Sequence, residues 1–188
     1  MTDLAAVADR LASAFGDTGP STLGRFEDHG GGRAVDVATW VDRPGPGLTS
    51  YATVGMSAFD NRMALASGSL RVELVAAVQH RWALMTDVLC ALAFAVGRGE
   101  TFVRPGSVFT QVPHLRSATT TPNVLFWDPF LWNLPSLPLG ATTVAWLIVV
   151  PISDAEAKLA GEHGAEALID EFERLSPDIH DLGRPSAV

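Results

Sequence analysis

Leu4, Val7, Ala8, Leu11 and Phe15 recur at spacings of three and four, so residues 3–15 read as an amphipathic helix. Gly16 and then Gly19-Pro20 stop it. Residues 21–33 are polar, contain Gly30-Gly31-Gly32, and read as a loop. The period then changes to two. Val35, Val37, Thr39 and Val41 alternate with Ala34, Asp36, Ala38 and Trp40, the pattern of a strand with one polar-tolerant face. Arg43-Pro44-Gly45-Pro46-Gly47 is a turn signal, and residues 49–56 form the returning strand of a hairpin or meander. Residues 59–69 read as a loop. Residues 70–78 read as a strand with Val72, Leu74 and Ala76 on one face and Arg71 and Glu73 on the other.

Residues 81–97 carry Met85, Val88, Leu89, Leu92 and Val96 on one helical face, with further apolar residues around the cylinder. Such a helix packs against a sheet, and Gly97 and Gly99 end it. Residues 102–109 hold an Arg104-Pro105-Gly106 turn, and 123–127 form a short strand closed by Asp128-Pro129. The unbroken apolar run from 144 to 150 places the strand at 142–150 in mid-sheet, covered on both faces. Ser153-Asp154-Ala155-Glu156 is a capping box that starts a helix running to Leu175, with Leu168, Ile169, Phe172 and Leu175 as its stripe. Residues 178–188 read as an irregular tail. The order of elements predicts an α+β fold in which helices pack a mixed or antiparallel sheet, one domain over residues 1–188.

Composition supports a packed core: of 188 residues, 47% are hydrophobic and 18% charged. The net charge is −8 and the sequence shows no basic stripe of the kind phosphate binding needs, so no nucleic-acid partner is expected. The charge is uneven. Residues 151–188 hold nine acids and three bases, a net −6, against −2 for the rest. That end either attracts a basic protein or is a solvated helix face. The single cysteine, Cys90, lies in an apolar helical stretch and reads as a buried, inert thiol in a reducing compartment. The first ten residues, MTDLAAVADR, lack the pattern of a signal peptide. The longest apolar runs fall short of the roughly 18 residues of a membrane span. The expectation is a cytoplasmic protein without a membrane partner.

Catalytic signals are weak. Gly55-Met56-Ser57-Ala58-Phe59 lacks the second glycine of a nucleophile elbow, and no GK[ST] follows the triple glycine. The five histidines are scattered and there is no CxxC, so neither metal nor cofactor is expected. Glu27-Asp28-His29 carries cation donors but reads as a polar loop. Glu73 and Asp128 are the carboxylates left for catalysis; the plainer reading of Asp128 is that it caps its own turn. More informative are Phe126, Trp127, Phe130 and Trp132, four aromatics within seven residues. Alternation sends Phe126 and Trp127 to opposite faces. Core positions are favoured for Phe126 and Phe130, while Trp127 and Trp132 stay open between core and interface.

Several segments together resemble the suppressor-of-fused family: SYATVGMS from Ser50, RVELV from Arg71, RPGSVF from Arg104 and NVLFWDPFLW from Asn123. The longest begins at Trp146, WLIVVPISDAEAKLAGEHGAEALIDEFE, and continues through Asp178-Ile179-His180-Asp181-Leu182 and Arg184-Pro185-Ser186. The resemblance spans about residues 30–188. It implies a compact α/β domain with no family catalytic residues to carry over. Animal members bind a zinc-finger transcription factor by clamping a peptide between this domain and a second one. No second domain is expected here, so that clamp has no counterpart. Free-standing bacterial members look like immunity proteins that neutralise toxins.

The expected function is therefore protein binding, as an immunity or regulatory protein and not an enzyme, with a possibly basic protein as partner. The contact residues expected are Trp127, Asp128 and Trp132, with Glu162, Glu166 and Asp170 of the acidic helix. The alternatives are a small-ligand sensor with Tyr51, Trp127 and Trp132 lining its pocket, and a carboxylate-dependent hydrolase.

Overall fold

In the computed structural model, which describes residues 3–16, 19–30, 32–66 and 68–188, the chain opens on helix α1 (Leu4–Ala14). The Asp3 carboxylate caps it, accepting from the Ala5 and Ala6 N–H groups. Strands β1 (Thr22–Glu27), β2 (Ala34–Val41) and β3 (Leu48–Val54) follow as an antiparallel meander. A 3-10 turn at Met56–Ala58 leads to β4 (Met63–Leu65) and β5 (Gly68–Gln79). Then come α2 (Met85–Arg98), β6 (Val108–Phe109), α3 (Pro113–Arg116), β7 (Asn123–Trp127), β8 (Leu137–Leu139) and β9 (Thr142–Ile152). Helices α4 (Asp154–His163) and α5 (Ala165–Leu175) close the order.

The strands form one sheet ordered β1-β2-β3-β5-β9-β7-β6, with β4 on β5 and β8 on β9. The central pair, β5 and β9, is parallel, and every other pair among the described residues is antiparallel. A parallel pair needs a long crossover, which the segment carrying α2 supplies. Val72, Leu74, Ala76 and Val78 of β5 and Leu147 and Val149 of β9 pack beneath α2. Val75, Ala77, Trp146, Ile148 and Val150 face the opposite layer, with α1, α4 and α5. Both faces are covered, which is why the central strand is apolar without alternation.

The α+β class and mixed sheet match the sequence reading; some local expectations do not. Residues 22–27 are a strand, not a loop. β1 is an edge strand whose Leu23 is 61% exposed, so its sequence lacks a clean apolar face. Gly31 of the triple glycine lies outside the described residues. The helix expected over 153–175 is two helices, broken where Gly164 takes φ 90° and ψ 155°, a conformation open to glycine. The short elements α3, β4 and β8 carry too few residues for a period to show.

Glu73 also corrects its expectation. It is fully buried, and its carboxylate accepts from the Thr53 hydroxyl at 2.6 Å and from the N–H groups of Gly55, Met56 and Ser57 at 2.9, 3.2 and 3.0 Å. Burial pushes its pKa up, against the pull of these donors. The side chain holds the 3-10 turn against β5, and no lone pair faces a cleft.

The tail at 178–188 is irregular but tightly held. The His180 carbonyl accepts from the Gln79 N–H, its ring meets the Ala77 carbonyl at 2.8 Å, and Asp181 pairs with Arg81 at 2.5 Å. The Thr120 and Thr121 hydroxyls donate to the Leu182 carbonyl. Arg184 is buried and grips buried Glu156 with two bonds of 2.5 and 2.7 Å. The Ser153 and Ala187 N–H groups donate to the same carboxylate, each at 2.8 Å. Burial alone would raise the Glu156 pKa. The Arg184, Ala187 and Ser153 donors and the guanidinium charge outweigh it and hold the carboxyl below its ordinary value.

Arg184→Ala leaves a buried carboxylate unpaired and is expected to destabilise the fold by about 3–5 kcal/mol in urea unfolding. The pH dependence follows from the depressed value: the stability Glu156 contributes is complete above the ordinary glutamate pKa and is lost as pH falls through its folded value. That acid-side loss should be absent in Arg184→Ala; its persistence would assign it to another carboxylate.

Candidate protein-binding surface

The period-two geometry of β7 divides the aromatic segment. Phe126 is buried under α2, while Trp127 points to the α5 side and is half-buried. Past Asp128-Pro129 the chain leaves the sheet, and Phe130 is 56% exposed, against the core position expected for it. Trp132 turns inward, 8% exposed. Its ring lies 4.7 Å from that of Phe15, which meets Trp40 edge-on at 4.6 Å. Trp132 is therefore a core residue and does not reach the surface expected of it. Tyr51 packs on the α2 face of the sheet, opposite Trp132, so Tyr51, Trp127 and Trp132 line no common pocket.

Helix α5 lies across the same side. Leu168 is fully buried, and Ile169 and Phe172 are half-buried beside it. Between α5 and the 127–130 segment runs an apolar groove of about 340 Å³, lined by Trp127, Phe130, Ile169, Phe172, Pro177 and Ile179 and bordered by Glu173. On the far side of Trp127 lies a polar recess of about 640 Å³ containing Arg104, Ser107, Asp128, His163 and Glu166. Trp127 is the ridge between the two. The Asp128 carboxylate makes no hydrogen bond or ion pair among the described residues, so it does not cap its turn as expected.

The charges of the C-terminal segment sort themselves by pairing. Arg184 is committed to Glu156, Lys158 lies 4.0 Å from Glu162, and Arg174 binds Glu171. All three bases of residues 151–188 are thus used by acids of the same segment. Glu166, Asp170 and Glu173 have no ion pair among the described residues. Their i, i+4, i+7 spacing puts them in one row on α5. Like charges at these spacings destabilise a helix by a few tenths of a kcal/mol per pair, and acids in its C-terminal half oppose the helix dipole. Glu166, in the first turn, is favoured by the dipole; helix stability does not account for Asp170 and Glu173. Of the residues expected to contact a partner, the structure brings together Trp127, Asp128, Glu166 and Asp170. Glu162 lies on α4 beside Lys158, outside this group, and Glu173, Phe130 and Phe172 join the surface.

Elsewhere, Asp28 is occupied by Arg98 at 3.2 Å and Arg33 at 4.0 Å, which removes the central donor of Glu27-Asp28-His29 from cation binding. Burial, together with the nearby Asp87 charge, pushes the Cys90 thiol up to about 12, so it stays protonated. No helix among the described residues is long and apolar enough to cross a membrane.

The three-layer domain with its β5–β9 parallel centre and its tail locked to α4 is a suppressor-of-fused domain. The family model of suppressor of fused protein (SUFU) matches residues 31–185, and the chain belongs to that family. It is 31% identical over 185 residues to immunity protein YqcF of Bacillus subtilis (strain 168), covering 97% of this chain and 95% of that protein. Among solved structures, a putative SUFU homolog from Neisseria gonorrhoeae FA 1090 matches with a TM-score of 0.67 at 16% identity, over 98% of this chain and 94% of that one. Drosophila Suppressor of Fused matches with a TM-score of 0.65 at 15% identity, over 89% of this chain but 46% of that longer one. A chain of the Sufu-Fu complex matches with a TM-score of 0.64 at 15% identity, over 91% of this chain and 84% of that one.

The two outer aromatics should separate on substitution. Trp132→Ala is expected to cost about 3–5 kcal/mol in urea unfolding, whereas Phe130→Ser should stay within about 0.5 kcal/mol. Equal effects would contradict the placement of these rings.

Proposed function

We propose that this chain, residues 1–188 acting as one suppressor-of-fused domain, is a bacterial cytoplasmic immunity protein. It works by binding a toxin or comparable partner protein, without turnover of its own. The observation that carries this reading is the 31% identity to a protein named as an immunity protein, extending over nearly all of both chains. The structural neighbour in the Sufu-Fu complex belongs to a fold that is found in a protein assembly. The arrangement of charge supports a basic partner. Glu166, Asp170 and Glu173 form an unpaired row, with Asp128 across Trp127, in a chain of net charge −8. Such a field raises encounter rates with a basic protein and repels nucleic acid. The hydrolase reading has less support: Glu73 is consumed by four internal donors, and in the recess of Asp128 and Glu166 no hydrogen bond joins either carboxylate to Ser107 or His163 among the described residues.

The test is to recover the tagged chain from its own cells, identify the retained protein by mass spectrometry, and measure kinetics with the purified pair. Replacing Glu166, Asp170 and Glu173 together by Lys should lower the association rate about tenfold at low salt and leave dissociation within about twofold. An unchanged association rate would remove the electrostatic part of the reading. Failure of the wild-type chain to hold any protein stably would remove the reading itself.

A further inference from the structure

We infer that the groove between α5 and the 127–130 segment is the anchor site for the partner, taking one large apolar side chain from a Lys- or Arg-bearing segment. This rests on the protein-binding reading and names the chemistry of the contact.

The groove is apolar where a protein surface is usually polar. Phe130 is 56% exposed just past a strand whose Phe126 is buried, and Trp127, Ile169, Phe172 and Ile179 present half-buried faces around it. It is also preformed. The Phe172 ring is backed by the Arg184 guanidinium at 5.2 Å, and Arg184 is itself clamped by Glu156. Pro177 and Ile179 are held by a backbone bond of 2.9 Å between them, and Asp178 accepts from Gln79 at 2.8 Å. A rigid apolar cleft with an aromatic ridge is the form in which interface anchors are seated with little ordering cost.

Its border decides the occupant. On the helical wheel Glu173 sits next to Ile169 at the border of the groove, Glu166 follows in the recess beyond Trp127, and Asp170 lies further round α5, so an apolar group entering the groove brings its flanking residues toward carboxylates. Flanking Lys or Arg meets Glu173 at the border and the field of Glu166 and Asp170 behind it, and the half-buried Trp127 and exposed Phe130 rings offer a cation a π face. The other occupants fit less well. A second copy would set one acid row against another in chains of net −8, and an anionic membrane is repelled for the same reason. The chain's own end is held elsewhere, with Ala187 on Glu156 and Ser186 on Ser153.

The probe is a peptide with a Leu-Phe pair flanked by two lysines on each side, titrated into the methyl-labelled full chain and followed by NMR and tryptophan fluorescence. The expected result is saturable shifts at Ile169, Ile179 and Val150. Affinity should fall about tenfold with Phe130→Ser, with Asp170 and Glu173 both changed to Lys, and with a peptide whose Leu-Phe is replaced by Ser-Ser. Equal binding of a counterpart with Glu in place of Lys would overturn the charge argument. Shifts centred on another face, or no saturable binding, would overturn the site. Groove shifts that grow with protein concentration alone would assign the groove to a second copy. Finally, if wild type and Phe130→Ser retain the same protein equally from lysate, the groove is not the anchor although protein binding stands; if wild type retains none, the binding reading fails first.

Discussion

The bidentate pair between Glu156 and Arg184 is the contact on which the C-terminal half depends. It joins a residue in the first turn of α4 to one four positions before Val188, both out of water. Two buried charges are costly to desolvate, and such a pair is tolerable only when the remaining lone pairs and protons are also satisfied. Here they largely are. Glu156 takes the Ser153 and Ala187 N–H groups, and Arg184 donates to the Pro151 and Pro185 carbonyls. Because the guanidinium also lies over Phe172, one side chain fixes the tail, the start of α4 and the face of α5 together. The acid row and the apolar groove inherit their geometry from that fixed point.

A second buried carboxylate works in the meander. Glu73 gathers the Thr53 hydroxyl of β3 and three N–H groups of the turn after it, and so ties the antiparallel half of the sheet to its parallel centre. Glu73, a catalytic candidate from sequence, is thus spent on architecture, and Glu156, read as a helix cap, holds the tail as well. The geometry that consumes them is a reason to look for function at acids that satisfy nothing internal.

Three of those acids form a row on one side. The α2 layer rests on a broad apolar cluster and has its own recess of about 570 Å³, where Asp28 pairs with Arg98 while Glu27 and Asp87 have no ion pair among the described residues. The α5 layer leaves Glu166, Asp170 and Glu173 unpaired beside exposed Phe130 and half-buried Trp127. Membership of the SUFU family concerns the fold as a whole; the asymmetry between the layers is what singles out a surface.

Where a signal is local, the chain declares it. The Ser153–Glu156 capping box, the β7 strand ending at Asp128-Pro129 and the unbroken apolar run of β9 each depend on residues a few positions apart, and each is where its pattern puts it. The acid excess after residue 150 is likewise a matter of composition. Tertiary structure decided the rest. β1 is a strand only because β2 offers it an edge, and a long helix becomes two because Gly164 lets the chain turn α5 back over the sheet. Trp132 is core because Phe15, more than a hundred residues earlier, is there to meet it, while Phe130 finds no such partner. Spacing along a chain encodes which faces are apolar. It does not encode which distant group arrives to bury a face or neutralise a charge, and on this surface those arrivals separate the residues that hold the fold from those left to bind.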